Sequence, residues 1–267
     1  MPQRREVVLD SSVIGTLAGA PPGSQGAAIA RLRVVRAKTS TALVITPTIL
    51  GELAATYARQ PVFESLVTTL TQVCDGVLDT DGPELLRIEL EHPQPYDAIV
   101  SRPLIAVTRA AIEETVKEPE VQAFYAAGGF GSNQMKGLLA NLDPLRKLVR
   151  GRLESFPEYV EARRTQWLAG LLEDLRKRGA IPNKAWDPED VWRRGVAWRL
   201  SSIVYLANEY RRLAQAQLRG KGAGSLSDLR IVIEAAYSHE VVTADKEFLA
   251  CGKAANGLVK HPRFTAW

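Results

Sequence analysis

The chain is poor in the side chains that most often carry metal or redox chemistry. Its 267 residues include only 2 cysteines and 3 histidines. Cys74 and Cys251 are far apart in the sequence, which is typical of two inert thiols in a reducing compartment and not of a disulfide framework. His92, His239 and His261 have no ligand spacing. These absences argue against a histidine triad or a histidine-rich zinc site, so we expect carboxylates to carry any catalysis.

The sequence also lacks a long apolar run. No stretch of about 18 consecutive apolar residues is present, which argues against a transmembrane helix. The N-terminal residues MPQRREVVLDSSVIG pass from a short basic start directly into a strand-like run, without the apolar core and cleavage site of a secretory signal. With 46% hydrophobic and 24% charged residues, the composition is that of a folded globular protein. We therefore expect a cytoplasmic protein with no membrane partner.

Positive charge is concentrated in one part of the chain. The net charge is +4, but residues 146–221 carry 17 Lys and Arg against 9 Asp and Glu, and the remainder carries 17 against 21. Such a basic block is typical of polyanion binding, because phosphates dominate the affinity of proteins for nucleic acid. The alternative is the solvated face of long helices. The candidates for contact with a nucleic-acid backbone are the arginine pairs Arg163, Arg164, Arg193, Arg194, Arg211 and Arg212. For Trp186, Trp192 and Trp198 we expect core packing ahead of base stacking.

Strand-like and helix-like segments alternate at both ends of the chain. Apolar, β-branched runs predict strands at residues 5–9, 42–46, 76–78 and 240–243. A loop is predicted at 19–26, and helices are predicted at 27–38, 48–59, 63–73, 104–117, 158–178, 188–219, 228–237 and 245–252. This order favours an α/β core formed by residues 1–78 and 225–267, interrupted by a mainly helical insertion of residues 79–224.

Acidic side chains recur where predicted strands end or helices begin. Asp10 directly follows the first strand, and Asp245 comes two residues after the last one. Because ligands of open α/β sheets bind outside the carboxyl ends of the strands, we expect these two acids to share a site. Asp228 falls on the apolar stripe of its helix, where a helix cap or a metal ion would stabilise the carboxylate. Glu52 falls on a polar helix face, which either borders a site or meets water.

Four segments in order resemble the motifs of PIN-domain nucleases: VVLDSSVIG, ITPTILGELAA, SDLRIVIEAA and VVTADKEF. In that family, Asp and a hydroxyl residue follow the first strand, and a Glu lies on the helix after the second. A further Asp opens a late helix, and a Thr-x-Asp-x-acid-Phe segment completes the set. The resemblance covers the two core segments and not the insertion. It implies a three-layer α/β/α fold with a central, mainly parallel sheet.

The resemblance also implies a function. The acids that it assigns to catalysis and metal binding are Asp10, Glu52, Asp228 and Asp245, with Glu247 as an additional metal-binding acid. The supporting hydroxyl groups are those of Ser12 and Thr243. Such carboxylates bind Mg²⁺ or Mn²⁺, which activate water for hydrolysis of a phosphodiester. We therefore expect a metal-dependent endoribonuclease, with DNA as the second substrate class. The family also implies self-association and, for toxin members, an antitoxin partner.

Two other functions compete with the nuclease. A PIN-like fold without catalysis would be a module that binds nucleic acid or a partner protein. A small-molecule α/β enzyme such as a phosphatase fits less well. Ser12 stands where a nucleophile of the haloacid-dehalogenase type requires a second Asp, and the glycine-rich residues 220–225 have the wrong order for a phosphate loop.

Overall fold

A computed structural model describes residues 5–57, 61–79, 81–92, 104–119, 121–123, 153–214, 226–260 and 262–267. Within these residues the chain forms a mixed α/β fold around a six-stranded sheet. The strands are β1 (Arg5–Leu9), β2 (Thr41–Ile45), β3 (Gly76–Leu78), β4 (Leu104–Ile105), β5 (Glu240–Thr243) and β6 (Arg263–Ala266). Their order across the sheet is β4-β3-β2-β1-β5-β6.

The sheet is parallel except at one edge. β1 pairs with β2 and β5, β2 pairs with β3, and β5 pairs with β6, all in parallel, whereas β4 is antiparallel to β3. All side chains of β2 are buried, so both faces of the sheet are covered there, as is usual for parallel strands. The register places Leu9 opposite Val242. The carboxyl ends of β1 and β5 therefore lie side by side.

The described helices surround this sheet. They are α1 (Ser11–Ala18), α2 (Pro22–Thr39), α3 (Pro47–Tyr57), α4 (Phe63–Val73), α5 (Gly82–Glu91), α6 (Arg109–Lys117), α7 (Phe156–Lys177), α8 (Pro188–Arg194), α9 (Val196–Ala214), α10 (Leu226–Glu234) and α11 (Lys246–Asn256). Several have a proline in the first turn, where its missing N–H has no intrahelical partner to lose. None of these described helices combines the length and the apolarity needed to span a bilayer.

Some predicted boundaries differ from the observed ones. The strands predicted at 5–9, 76–78 and 240–243 and the helix predicted at 63–73 are confirmed. The loop predicted at 19–26 is wrong from Pro22 onward, because this proline begins α2. The helix predicted at 104–117 is wrong at its start, which is the edge strand β4. The predictions for residues 215–225 lie outside the described residues.

Gly195 divides the predicted helix 188–219 into α8 and α9. A Cβ atom here would lie 2.9 Å from Glu89 Oε2 and 2.9 Å from Trp198 Cδ1. The Glu89 carboxylate needs this space because it accepts hydrogen bonds of 2.8 Å from the N–H groups of Val196 and Ala197 at the start of α9. The helix break is therefore a capping arrangement made by α5.

One hydrophobic core includes residues from the whole described chain. Leu9 and Val241 of the central strands belong to the same buried cluster as Tyr159 of α7 and Trp198 of α9. α9 also packs against α7, α10 and α11. Residues 79–224 therefore contribute helices to the core and one edge strand to the sheet. Trp198 is fully buried and donates a hydrogen bond of 3.1 Å to Leu86 O, which confirms its expected packing role.

Candidate active site

Asp10 lies immediately beyond β1, and hydroxyl groups hold its side chain. The residue is only 4% exposed, and its N–H donates to Val242 O at 2.9 Å, which continues the pairing of β1 with β5. Its Oδ2 accepts hydrogen bonds from Ser12 Oγ and, at 2.7 Å, from Thr243 Oγ1. Its Oδ1 has only a 3.5 Å contact with Ser11 Oγ within the described residues. Oδ1 is therefore the oxygen with acceptor capacity left for a ligand.

The same two hydroxyl groups connect Asp10 to the chain that follows β5. Ser12 Oγ accepts a hydrogen bond of 3.0 Å from the Ala244 N–H, and Thr243 Oγ1 accepts one of 3.0 Å from the Asp245 N–H. The two oxygens are 3.2 Å apart. Each hydroxyl thus donates to the Asp10 carboxylate and accepts from the backbone. The structure brings Asp10, Ser12, Thr243 and Asp245 into one hydrogen-bonded group.

Asp245 is also the N-cap of α11. Its Oδ1 accepts hydrogen bonds of 2.7 Å from the Glu247 N–H and 2.9 Å from the Phe248 N–H. A carboxylate at this position is favourable because of the helix dipole and the unpaired N–H groups of the first turn. Its Oδ2 has no hydrogen-bond donor in the described part of the chain. Asp245 therefore combines a structural role with one oxygen that is available to a ligand.

Asp228 lies on α10, and Glu247 lies on α11, two residues beyond Asp245. Asp228 is in the first turn of α10, and Glu247 is in the first turn of α11 with its Oε2 3.1 Å from Arg211 Nη2. Burial raises the pKa of the Cys251 thiol to about 12, with Arg211 and Arg212 opposing the rise and both acids adding to it. The Cys251 thiol is therefore protonated and inert at neutral pH.

Glu52 lies half-buried on α3, which packs against α1 and α10. A buried acid that the sequence analysis missed, Glu234, connects α10 to the start of α3. It accepts hydrogen bonds of 3.2 Å from Thr48 N–H and 2.8 Å from Thr48 Oγ1, and Thr46 also donates to it. Burial raises the pKa of Glu234 to about 7. This bridge fixes the helix of Glu52 relative to the helix of Asp228.

The oxygen donors suit a hard divalent cation, although no complete ligand set is present. No group of three or more His, Cys, Asp or Glu side chains within the described residues is arranged to hold a metal ion. Mg²⁺ usually keeps several waters and is bound through only one or two carboxylates. Asp10 Oδ1 and Asp245 Oδ2 are carboxylate oxygens, which is the type of ligand that Mg²⁺ needs from a protein. The assignment of Asp10, Glu52, Asp228, Asp245 and Glu247 to metal binding stays a prediction.

Four of the six arginine candidates form ion pairs within the same helical block. The pairs are Arg163 with Glu154, Arg164 with Glu161 and Glu189, and Arg193 and Arg194 with Asp190. Arg212 Nε donates a hydrogen bond of 2.9 Å to Asn208 Oδ1. Arg164 also lies over the Trp192 ring, 5.1 Å from its centroid. These contacts indicate that most of the basic block is the solvated face of long helices. Arg211 differs, because it pairs with Glu247 of the candidate site.

Comparisons of the chain with protein-family models, with curated proteins and with solved structures find no match. These comparisons therefore assign the chain to no family and identify no relative. The PIN-type resemblance rests on the four sequence segments and on their residues.

Proposed function

We propose that this protein is a metal-dependent endoribonuclease of the PIN type, a hydrolase that cleaves phosphodiester bonds of RNA. One observation carries the proposal: Asp10 and Asp245 follow neighbouring parallel strands and are connected through the Thr243 hydroxyl. Ligands of α/β sheets bind at this edge. Carboxylates with unused oxygens at such an edge can bind Mg²⁺ or Mn²⁺. These ions support the hydrolysis of phosphodiesters.

The residues of the site have distinct roles in this proposal. Asp10 and Asp245 would hold the ion, and Asp228, Glu52 and Glu247 would act on it directly or through water. A bound ion would activate a water molecule as the nucleophile and would stabilise the charge on the leaving oxygen. Ser12 and Thr243 orient the Asp10 carboxylate, since both donate to Oδ2 and leave Oδ1 for the ligand.

The substrate and partner assignments come from the resemblance and from charge. RNA is the proposed substrate and DNA the second class because of the PIN-type resemblance, and the basic excess in residues 146–221 is compatible with either polyanion. Self-association, an antitoxin partner and a cytoplasmic location belong to the same proposal. The first two follow from the PIN-type resemblance, and the third follows from the composition.

The second candidate is a non-catalytic module that binds nucleic acid or a protein partner. It is favoured by the finding that, within the described residues, no three His, Cys, Asp or Glu side chains are arranged to hold a metal ion. The two candidates differ in turnover. The module would bind RNA in a salt-dependent manner without cleaving it.

A cleavage assay separates these functions. End-labelled single-stranded RNA and DNA are incubated with the protein in Mn²⁺ or in EDTA, with Asp10→Asn and Asp245→Asn as site variants. Asp174→Asn is the matched control, because Asp174 is a half-exposed acid paired with Arg178 on the surface of α7. We expect Mn²⁺-dependent cleavage of RNA that falls by about 100-fold or more in the two site variants and not in the control. Cleavage that persists in EDTA, or that survives both site substitutions, contradicts the proposal, and RNA binding without cleavage supports the module.

A further inference from the structure

Arg211 differs from the other arginines of the basic block in where its charge is placed. It lies in the last turn of α9, and its Nη2 is 3.1 Å from Glu247 Oε2 in the first turn of α11. Asp245 caps that same turn. Within the described residues, Arg211 is therefore a cation of the helical block that pairs with an acid of the candidate site, whereas Arg163, Arg164, Arg193 and Arg194 pair with acids of the block itself.

The Arg211 guanidinium has hydrogen-bonding capacity that its protein contacts do not use. A guanidinium carries five N–H donors in a planar fork. Nη2 donates to Glu247, but Nε is buried and has no acceptor within the described residues. Because this Nε is buried, a ligand oxygen would approach the part of the guanidinium that stays accessible in a side chain that is 24% exposed. The fork matches the geometry of a phosphate better than a lysine ammonium does.

The charges around Arg211 also favour an anionic ligand that the acids alone would repel. Glu247, which pairs with Arg211, lies in the first turn of α11 two residues beyond Asp245. Carboxylates repel a phosphodiester unless cations lie beside them. The Glu247 ion pair, with side chains 24% and 37% exposed, fixes the arginine without covering it completely.

From this placement we propose that Arg211 binds a phosphate of the RNA backbone next to Asp10 and Asp245, with Glu247 positioning its guanidinium. The inference rests on the proposed nuclease function, since it names the group that holds the substrate at that site. It changes the role of Glu247 from an additional metal-binding acid to the residue that orients Arg211. It also separates Arg211 from the surface arginines, which contribute only general charge.

Equilibrium binding tests this assignment apart from cleavage. The affinity for a fluorescein-labelled, single-stranded RNA is measured by anisotropy in EDTA over a range of NaCl concentrations. The proteins are the wild type, Arg211→Ala, Arg211→Lys and Arg109→Ala. Arg109 is the matched control, because it also joins residues 79–224 to the core, through an ion pair with Glu64, and lies on a different helix. Urea unfolding of each variant confirms that it folds.

We expect Arg211→Ala to weaken RNA binding by about tenfold and to reduce the slope of log affinity against log salt by about 0.7, the contribution of one phosphate contact on a single strand. Arg211→Lys should recover part of the affinity and the slope, and Arg109→Ala should change neither. An unchanged slope in Arg211→Ala, or an equal loss in Arg109→Ala, overturns the assignment even when the wild type cleaves RNA. A wild type that neither binds nor cleaves RNA overturns the nuclease proposal and this inference together.

Discussion

Thr243 Oγ1 donates a hydrogen bond of 2.7 Å to Asp10 Oδ2, although the two residues are 233 positions apart in the sequence. The bond crosses from the end of β5 to the end of β1, and the same oxygen accepts the Asp245 N–H. Thr243 is fully buried, so solvent does not replace either bond. One hydroxyl group therefore contacts both of the acids that the proposed chemistry needs.

Replacing this hydroxyl should affect both stability and catalysis. Thr243→Val keeps the branched shape but leaves Asp10 Oδ2 with one donor fewer and the Asp245 N–H without its acceptor. We expect the free energy of unfolding to fall by about 1–3 kcal/mol and RNA cleavage to fall by about 10- to 100-fold. Urea denaturation and the cleavage assay measure the two effects. Thr71→Val is the control, because within the described residues Thr71 bonds only to the backbone of its own helix, and an equal activity loss there would contradict the role of Thr243.

The buried carboxylate of Glu89 should be essential for the stability of the helical block. It accepts hydrogen bonds from three N–H groups at the start of α9 and from the Tyr237 hydroxyl. Glu89→Ala leaves these buried donors unpaired, so we expect a loss of about 3 kcal/mol in the free energy of unfolding. Glu91→Ala, on the same helix and paired with Arg87 alone among the described residues, should cost well under about 1 kcal/mol. Similar losses in the two variants would show that the Glu89 cap is not stabilising.

Two glycine substitutions should have effects of opposite sign. In Gly195→Ala the new Cβ meets Glu89 Oε2 and Trp198 Cδ1 at 2.9 Å, so the cap must shift and stability should fall by about 1–3 kcal/mol. At Gly170, inside α7, an added Cβ would meet no atom within 4 Å beyond the helix's own backbone, so Gly170→Ala should raise stability by about 0.5–1 kcal/mol. Thermal or urea unfolding gives both values. A neutral Gly195→Ala variant would contradict the close approach of Glu89.

Glu234 should make stability depend on pH in an unusual direction. Burial raises its pKa from 4.5 to about 7, so between these values the folded state binds more protons than the unfolded state. The stability that this group contributes therefore falls as pH rises from about 4.5 to about 7. Glu234→Gln removes the titration, and its stability relative to the wild type should be higher at pH 8 than at pH 5, by up to about 3 kcal/mol.

Urea midpoints at the two pH values measure this difference. Glu113→Gln, which changes a half-exposed acid on α6, is the control and should show no such dependence. If the gap between Glu234→Gln and the wild type is the same at pH 5 and pH 8, Glu234 does not titrate in this range.

Local pattern predicted the strands before Asp10 and Asp245 and the helices of Glu52 and Asp228, but it did not predict α1, which carries Ser12. Long-range contacts decided the rest. The apolar runs before Asp10 and Asp245 are strands because their β-branched residues are buried in a parallel sheet. By contrast, α5 and the edge strands β4 and β6 were not predicted. β4 has only two residues, too few to show a period of alternation. Glu89 and Glu234 were missed because their partners are 107 and 186 positions away.

The position of a bound metal ion tests the central claim most directly. Crystals of the wild-type protein soaked in MnCl₂ give an anomalous difference map that locates Mn²⁺ without any assumption about activity. The nuclease proposal predicts a peak in contact with Asp10 Oδ1 and beside Asp245, with Asp228 reached directly or through water. A peak only at other residues, or none at this edge at Mn²⁺ concentrations that support RNA cleavage, would contradict it.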